Sequence, residues 1–159
     1  IPLSRSPARY HIPSRRQGIF TSQPPQYSGL AVNVGGAIVP LILSLYLLTH
    51  IPSLWPVGVA TLIMAAVSKF LARPIPGRGI VLPVFVPPVL SALIAVLLAY
   101  EFAAPTAYIA GTMGTLIGAD LLNIHRVRKF PGIISIGGAG IFDGIFLVGI
   151  VAVFLTALV

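Results

Sequence analysis

The chain contains no cysteine and only three acidic residues among its 159 positions. Without cysteine there can be no disulfide bond, thiolate nucleophile or cysteine metal site. Glu101, Asp120 and Asp143 are the only carboxylate side chains. Charged residues make up 8% of the chain, whereas soluble domains carry roughly 25%. This composition excludes an ordinary soluble globular domain.

Apolar residues are abundant instead, at 57% of the chain, with a mean hydropathy of +1.00. They form five long runs, and a bilayer core needs about 20 such residues per crossing. We therefore expect an all-α fold, a polytopic membrane bundle of five transmembrane helices forming one domain, about residues 29–159. The spans are expected at about residues 29–49, 56–72, 80–99, 105–124 and 133–157. The basic, Pro- and Ser-rich segment 1–28 should be irregular and lie on the inner surface.

The ten Lys and Arg residues alternate with these runs in three clusters. The clusters lie before the first run, between the second and third, and between the fourth and fifth: Arg5, Arg9, Arg15 and Arg16; Lys69, Arg73 and Arg78; Arg126, Arg128 and Lys129. Cytoplasmic loops carry the Lys/Arg excess. The pattern predicts a multi-pass cell-membrane protein with its basic loops in the cytoplasm, its N-terminus inside and its C-terminus outside.

The net charge of +7 lies in loops beside the predicted spans. It therefore predicts an anionic inner leaflet as the partner, and no nucleic acid. The chain starts with Ile1 rather than Met, which indicates a processed N-terminus or residues upstream of it; a removed signal peptide or a further helix is compatible with this start.

Two features of the spans leave alternatives open. The third span opens with Pro83, Pro87 and Pro88, and proline removes helix hydrogen-bond donors, so this helix is either kinked or functionally broken. The segment Asn33–Ala37 at the first span echoes Ser135–Ala139 at the fifth. Parallel repeats occur in transporters, but a match of five residues also arises by chance in a chain rich in Gly, Ala and Val.

Asp120 and Asp143 fall inside the fourth and fifth predicted spans. An aspartate at the centre of a membrane helix costs about 2.5–3.5 kcal/mol on insertion scales, and such residues usually mark a proton, ion or catalytic site. The two residues are therefore the candidate catalytic pair. The alternative is a structural role, in which each carboxyl accepts backbone or hydroxyl hydrogen bonds, or pairs with a loop Arg, and fixes the helix register.

Glycines recur with the same spacing in both of these spans, at Gly111, Gly114 and Gly118 and at Gly137, Gly140 and Gly144. Small residues let membrane helices approach closely, so we expect the fourth and fifth spans to pack as antiparallel neighbours. Asp143 would lie near its own glycine face and Asp120 opposite its own. The sequence therefore leaves open whether the two carboxyls meet.

Asn33, Thr112 and Asn123 are the candidate binding residues, because they are polar side chains within predicted spans. Such residues also serve as hydrogen-bonded contacts between helices. The three histidines are assigned to loops on different sides, so a three-His metal site is not expected. The sequence predicts neither a metal nor a cofactor.

Three segments carry a resemblance to a known family: Asn33–Ala37 followed by Pro40, Gly118–Asn123, and Gly137–Gly144. Together they resemble an uncharacterised family of prokaryotic polytopic membrane proteins, a domain of unknown function. The resemblance covers nearly the whole chain. It implies a bacterial or archaeal membrane protein, extended at its N-terminus relative to this chain, and no assigned activity.

A weaker resemblance is to the intramembrane aspartyl proteases of the presenilin and prepilin-peptidase type. Those enzymes carry one Asp on each of two helices, the second in a Gly-x-Gly-Asp motif. Here Ile141 and Phe142 separate Gly140 from Asp143, and Ala119 stands where presenilins have Tyr before the first Asp. The resemblance implies two carboxylates that share a proton and activate water.

Three functional hypotheses remain open on the sequence. One is a two-aspartate intramembrane hydrolase acting on a membrane-protein substrate. Another is a non-catalytic membrane subunit or scaffold with partner subunits. The third is an ion- or proton-coupled transporter that uses Asp143. They differ in whether Asp120 and Asp143 approach each other.

Overall fold

The computed structural model describes residues 2–6, 28–75, 79–127, 133–138 and 144–158. This part of the chain is mostly helical. Its α-helices are α1 (Val39–Leu48), α2 (Leu54–Leu71), α3 (Val86–Leu98), α4 (Ala103–Thr115), α5 (Ile124–Val127) and α6 (Gly144–Thr156). A π-helical segment, Val34–Ile38, leads directly into α1. A 3₁₀ turn, Tyr100–Phe102, precedes α4, and a second π-helical segment, Leu116–Leu121, continues it.

Short strands join the helices in two places. They are β1 (Pro2–Ser6), β2 (Ser28–Val32), β3 (Arg73–Ile75), β4 (Gly79–Val81) and β5 (Ile133–Ile136). β1, β2 and β5 form a sheet in that order, with β1 antiparallel and β5 parallel to β2. The parallel register aligns Gly29 with Ile133 and Val32 with Ile136. β3 and β4 form an antiparallel hairpin.

These strands change the expected picture of helices alone. The first and fifth predicted spans begin as strands β2 and β5 and become helical only later, and residues 2–6 of the segment expected to be irregular form β1. Backbone that leaves a helix needs other hydrogen-bond partners. The pairing of β2 with β5 provides backbone hydrogen bonds for the openings of both spans.

The prolines of the third predicted span lie at the start of α3 rather than within it. Pro87 and Pro88 are the second and third residues of the helix, which begins at Val86, and both are buried. N–H groups in the first turn have no partner within the helix, so proline removes nothing there. The expected kink or break is therefore not present; the helix simply begins later, after Pro83.

α4 is the central helix and contacts α1, α2, α3 and α6. All of its residues from Thr106 to Gly114 are buried except Met113, which is partly exposed. Alanine packs against alanine around it, as Ala107 does with Ala95 of α3 and Ala152 of α6. These small side chains bring the surrounding helices close to α4.

α2 runs parallel to α4. Gly114 of α4 faces Met64 of α2, and further along both helices Asn123 lies beside the backbone of Lys69. Residue numbers therefore increase in the same direction along the two helices.

α1, α3 and α6 run antiparallel to α4. Ser44 of α1 lies beside Thr112, whereas Ala37, before α1, packs against Leu116. The same reversal holds for α3 and α6, whose contacts with α4 are Ser91 with Gly111, Ala95 with Ala107, Ile145 with Leu116 and Ala152 with Ala107.

The end of the bundle at which α4 terminates therefore also holds the end of α2 and the beginnings of α1, α3 and α6. Lys69, Arg73 and Arg126 are exposed at this end, which we call the basic end. Glu101 and Trp55 lie at the opposite end.

Glycines of α4 and of the π-helical segment that continues it do lie at close helix contacts, but mainly with a different partner from the one expected. A Cβ on Gly114 would stand 2.5 Å from Met64 Cβ, and one on Gly118 would overlap the carbonyl oxygen of Ala65. Both contacts are with α2. Gly111 faces Ser91 of α3 and Val148 of α6. The glycine side of α4 thus packs chiefly on α2 rather than on the fifth predicted span.

Among the described residues, α2 alone is long and apolar enough to cross a membrane by length and composition. Val34–Leu48, Val86–Leu98 and Leu147–Thr156 are shorter apolar helices.

Candidate functional site

Asp120 is buried at the basic end, within the π-helical segment that extends α4, and is 9% exposed. Its Oδ2 accepts a hydrogen bond from the backbone N–H of Gly137, with an N···O distance of 2.6 Å. Short π-helical segments inside α-helices occur frequently at functional sites. The carboxylate therefore joins the end of the central helix to the turn that follows β5.

That turn consists of two glycines in the left-handed region, Gly137 with φ +86° and Gly138 with φ +79°. Residues with a Cβ rarely adopt this conformation. There is also no space for a side chain at this position, because a Cβ on Gly137 would lie 2.8 Å from both the Cβ and the nitrogen of Ala37. Conformation and packing both require glycine, and they leave the backbone N–H of Gly137 facing Asp120.

Asn33 contacts the same turn from the side of the first predicted span. Its Nδ2 donates to the carbonyl oxygen of Gly138 at 3.2 Å, and its Oδ1 accepts from Gly35 N–H at 3.0 Å, capping the π-helical segment. Its own backbone N–H donates to Ile136 O at 2.9 Å, which extends the β2–β5 pairing by one bond. Asn33 and Asp120 are thus brought together through Gly137 and Gly138.

Asn123 lies one helical turn beyond Asp120 and is fully buried. Its Nδ2 donates to Gly118 O at 3.1 Å and to Lys69 O at 3.5 Å. Its Oδ1 has no hydrogen-bond partner in the described part of the chain. The amide ties the end of α4 to the end of α2, and no hydrogen bond joins it to the glycine turn.

Thr112 lies eight residues before Asp120, about 12 Å away along a helix. It is fully buried, donates to Tyr108 O at 2.7 Å and lies 3.5 Å from Ser44 Oγ. The structure therefore places Thr112 in the contact between α1 and α4, apart from the cluster around Asp120.

Asp143, the second predicted aspartate, lies outside the described residues, and so does Gly140. Within the described ranges, no group of three or more His, Cys, Asp or Glu side chains is placed to hold a metal ion.

Sequence reasoning missed the turn itself. Its chemistry comes from backbone N–H and C=O groups of glycines, which a search for reactive side chains does not find. One sequence signal did point to the turn. The Gly-Gly-Ala motif occurs in both segments, and Ala37 of the first segment packs against Gly137 of the second. The sequence alignment of the two segments would place Asn33 opposite Ser135. In the β2–β5 register, however, Ser135 pairs with Ala31, and the backbone N–H of Asn33 donates to Ile136 O. The two echoed segments are thus neighbours, offset by two residues from their sequence alignment.

A family model described as "Protein of unknown function (DUF1614)" matches residues 4–155. The chain belongs to this family. The resemblance to an uncharacterised family is thereby confirmed, and membership of DUF1614 assigns no activity. No curated protein and no solved structure matches the chain. The relationship to intramembrane aspartyl proteases stays a hypothesis.

Proposed function

We propose that the chain is a multi-pass membrane protein whose Asp120 and Asp143 form the catalytic pair of an intramembrane hydrolase. The observation that carries this proposal is the bond from Gly137 N–H to Asp120 Oδ2 at 2.6 Å. It fixes the first carboxylate to a turn that lies six residues before the second aspartate in the chain.

The outward side chains support a membrane location. Large apolar residues are exposed on the outer faces of several helices, for example Leu62 at 72%, Phe70 at 84%, Phe85 at 76% and Leu97 at 74%. Soluble monomers rarely expose large contiguous apolar patches. Only 33% of the apolar window of α2 is buried within the protein, unlike the core helix of a soluble domain. A surrounding lipid phase accounts for both observations.

Helix α1 approaches the thickness of a bilayer when its leading segments are included. The π-helical segment and α1 contain 5 and 10 residues, which at 1.5 Å per residue gives about 22 Å, less than the hydrocarbon core of about 30 Å. Strand β2 and Asn33 would supply the remainder. Irregular backbone at membrane depth needs hydrogen-bond partners other than lipid, and the pairing of β2 with β5 supplies them for both segments.

The distribution of charge supports the proposed orientation. Lys69, Arg73 and Arg126 are exposed at the same end of the bundle, although they belong to different parts of the chain. On the positive-inside rule this end faces the cytoplasm and an anionic leaflet. Asp120 then lies near the cytoplasmic side of the membrane.

Chain length limits the separation of the two aspartates. Six residues from Gly137 to Asp143 span about 20 Å if fully extended and about 9 Å as helix. Asp120 is already bonded to Gly137. The proposal therefore requires Asp143 to approach Asp120 within this chain-length limit.

The chemistry follows from two carboxyls that share one proton. The ionised carboxylate takes a proton from water as the water oxygen bonds to the carbonyl carbon of a peptide. The protonated carboxyl gives its proton to the carbonyl oxygen. In the second step the carboxyl that was protonated by water gives its proton to the nitrogen, and the carboxylate takes a proton from one hydroxyl of the intermediate. The carbon–nitrogen bond breaks, a carboxylic acid and an amine leave, and the two carboxyls again share one proton. The substrate class is a membrane-spanning peptide, because the site lies among apolar helices; the reaction needs no cofactor.

A cleavage assay tests the proposal. The protein is reconstituted into vesicles of neutral and anionic lipid with a pool of synthetic single-span peptides, and products are identified by mass spectrometry. The wild type should cleave members of the pool. Asp120→Asn and Asp143→Asn should each reduce the rate at least about 100-fold, because neither amide can exchange a proton. Glu101→Gln, which changes the remaining carboxylate at the opposite end, is the matched control and should cleave at the wild-type rate.

A titration separates the hydrolase from the other two hypotheses. The chain contains two aspartates, so ¹³C labelling of aspartate carboxyl carbons gives two resonances. In a coupled pair, replacing either residue by Asn changes the titration of the other. Independent titration would exclude the hydrolase and leave a carrier that uses Asp143 alone. Loss of folding in Asp120→Asn, despite the acceptor oxygen that Asn retains for Gly137 N–H, would identify a structural role for Asp120.

A further inference from the structure

Two side-chain hydrogen bonds join Asn33 to described residues, and they have different consequences. Its Oδ1 accepts from Gly35 N–H at 3.0 Å, within its own segment. Its Nδ2 donates at 3.2 Å to the carbonyl oxygen of Gly138, 105 positions away. The first bond caps a helix, for which Ser or Thr would serve equally well. The second bond requires an N–H donor on a side chain as long as that of Asn.

The glycine turn depends on such outside contacts. Gly137 and Gly138 have no Cβ, so their backbone can adopt more conformations than that of other residues, including the positive φ observed here. Asp120 holds the N–H at the start of the turn, and Asn33 holds the carbonyl group at its end. The peptide that follows this carbonyl group begins the segment that leads to Asp143.

We propose that Asn33 is a positioning residue that orients the Gly137–Gly138 turn through its bond to Gly138 O. It thereby sets the approach of Gly137 N–H to Asp120. This role deepens the proposed hydrolase function and rests on it for its catalytic meaning.

The decisive variant is Asn33→Ser. Serine keeps an acceptor for Gly35 N–H but is too short to reach Gly138. Asn33→Ala loses both of these bonds, so the difference in thermal midpoint between the two variants reports on the cap. Thr61→Val is the matched control, because it removes a partly buried side-chain bond to Val57 O within α2, away from the turn.

Selective labelling provides a readout at the turn itself. The chain contains two Ile–Gly pairs, Ile117–Gly118 and Ile136–Gly137. Labelling isoleucine carbonyls with ¹³C and glycine nitrogens with ¹⁵N therefore isolates the amides of Gly118 and Gly137, with Gly118 as an internal reference. The ¹³C-carboxyl resonance of Asp120 is recorded in parallel.

Asn33→Ser should move the Gly137 amide and Asp120 carboxyl resonances, and should move the Gly118 amide less. It should lower kcat in the peptide assay, by up to about 100-fold for a misplacement near 1 Å, with KM unchanged. Its thermal midpoint should stay close to that of Thr61→Val. Asn33→Ala should show the same resonance and rate changes with a lower thermal midpoint.

Unmoved Gly137 and Asp120 resonances in Asn33→Ser would overturn the proposal and reduce Asn33 to a helix cap. A kcat equal to that of the wild type despite moved resonances would also overturn it. If the resonances move but the wild-type protein cleaves no peptide, the hydrolase function is wrong while the orientation of the turn by Asn33 stands. The two failures are therefore distinguishable.

Discussion

Replacing Gly118 by alanine tests the close contact between α2 and α4. The added Cβ would overlap the carbonyl oxygen of Ala65 and lie 2.8 Å from both its carbonyl carbon and its Cα. Ordinary van der Waals contact begins at 3.4 Å, so the two backbones must separate by at least the 0.6 Å difference. The opposing atoms are backbone and cannot rotate away.

The size of the effect follows from this separation. A gap of 0.5–1 Å forfeits about a quarter to a half of the dispersion energy between the atoms concerned. Overpacking of a tight contact typically costs about 1–3 kcal/mol. Because α2 must shift as a unit, we expect the upper part of this range, about 3 kcal/mol. At roughly 2–4 °C per kcal/mol for a chain of this size, the thermal midpoint should fall by about 6–12 °C.

Gly58→Ala in the same helix pair is the control. Nothing lies within 4 Å of the position that a Cβ on Gly58 would take. Alanine also has a helix propensity about 1 kcal/mol more favourable than glycine. Gly58→Ala should therefore unfold at or slightly above the wild-type temperature.

Thermal unfolding of the three proteins in one detergent is followed by circular dichroism and by fluorescence of Trp55, the single tryptophan. Equal midpoints for Gly118→Ala and Gly58→Ala would show that α2 and α4 do not approach as closely as described. A loss of stability in both variants would point instead to a general need for glycine flexibility.

Three further predictions concern other contacts. Gly137→Ala should lower the thermal midpoint by several degrees, because a Cβ in the left-handed region costs about 1–2 kcal/mol, and it should move the aspartate carboxyl resonances; an unchanged ¹³C spectrum would contradict the Asp120 contact. The buried hydroxyls of Ser68 and Thr115 lie 3.5 Å apart, so a double-mutant cycle with Ser68→Ala and Thr115→Val, read by thermal unfolding, should give a coupling of only about 0.6 kcal/mol; a coupling above 2 kcal/mol would mean a much tighter bond. A topology reporter fused after Val159 should report the outside and one inserted after Arg126 the inside; the same side for both would refute the orientation.

Much of the helical part could be predicted from the sequence, because long apolar runs dominate it. The second run was placed at about 56–72, and α2 is Leu54–Leu71. The strands could not be predicted in the same way. Residues 28–32 and 133–136 are short apolar stretches next to longer ones, and periodicity does not distinguish a buried strand from a buried helix over so few residues.

The candidate site was predictable only in part, for two physical reasons. Asp120 was identified because a carboxylate in an apolar run is costly to bury. Its hydrogen-bond partner is the backbone N–H of Gly137, which comes close to Asp120 only in the folded chain. The glycine contact was assigned to the fifth span because the two spans are neighbours in sequence, whereas Gly114 and Gly118 face α2. Spacing identifies a face of a helix but not the helix that packs on it.

The parallel pairing of β2 with β5 has a consequence for biosynthesis. Asn33 and Gly138 are 105 positions apart, and the chain is made from the N-terminus at about 5–20 residues per second. All helices up to α5 are therefore synthesised before β5 exists to meet β2. We expect the turn at Asp120 to be among the last parts to form, so a chain that ends before β5 would hold packed helices and an unassembled turn. On the proposed function, the hydrolase site would therefore assemble only after β5 has been synthesised.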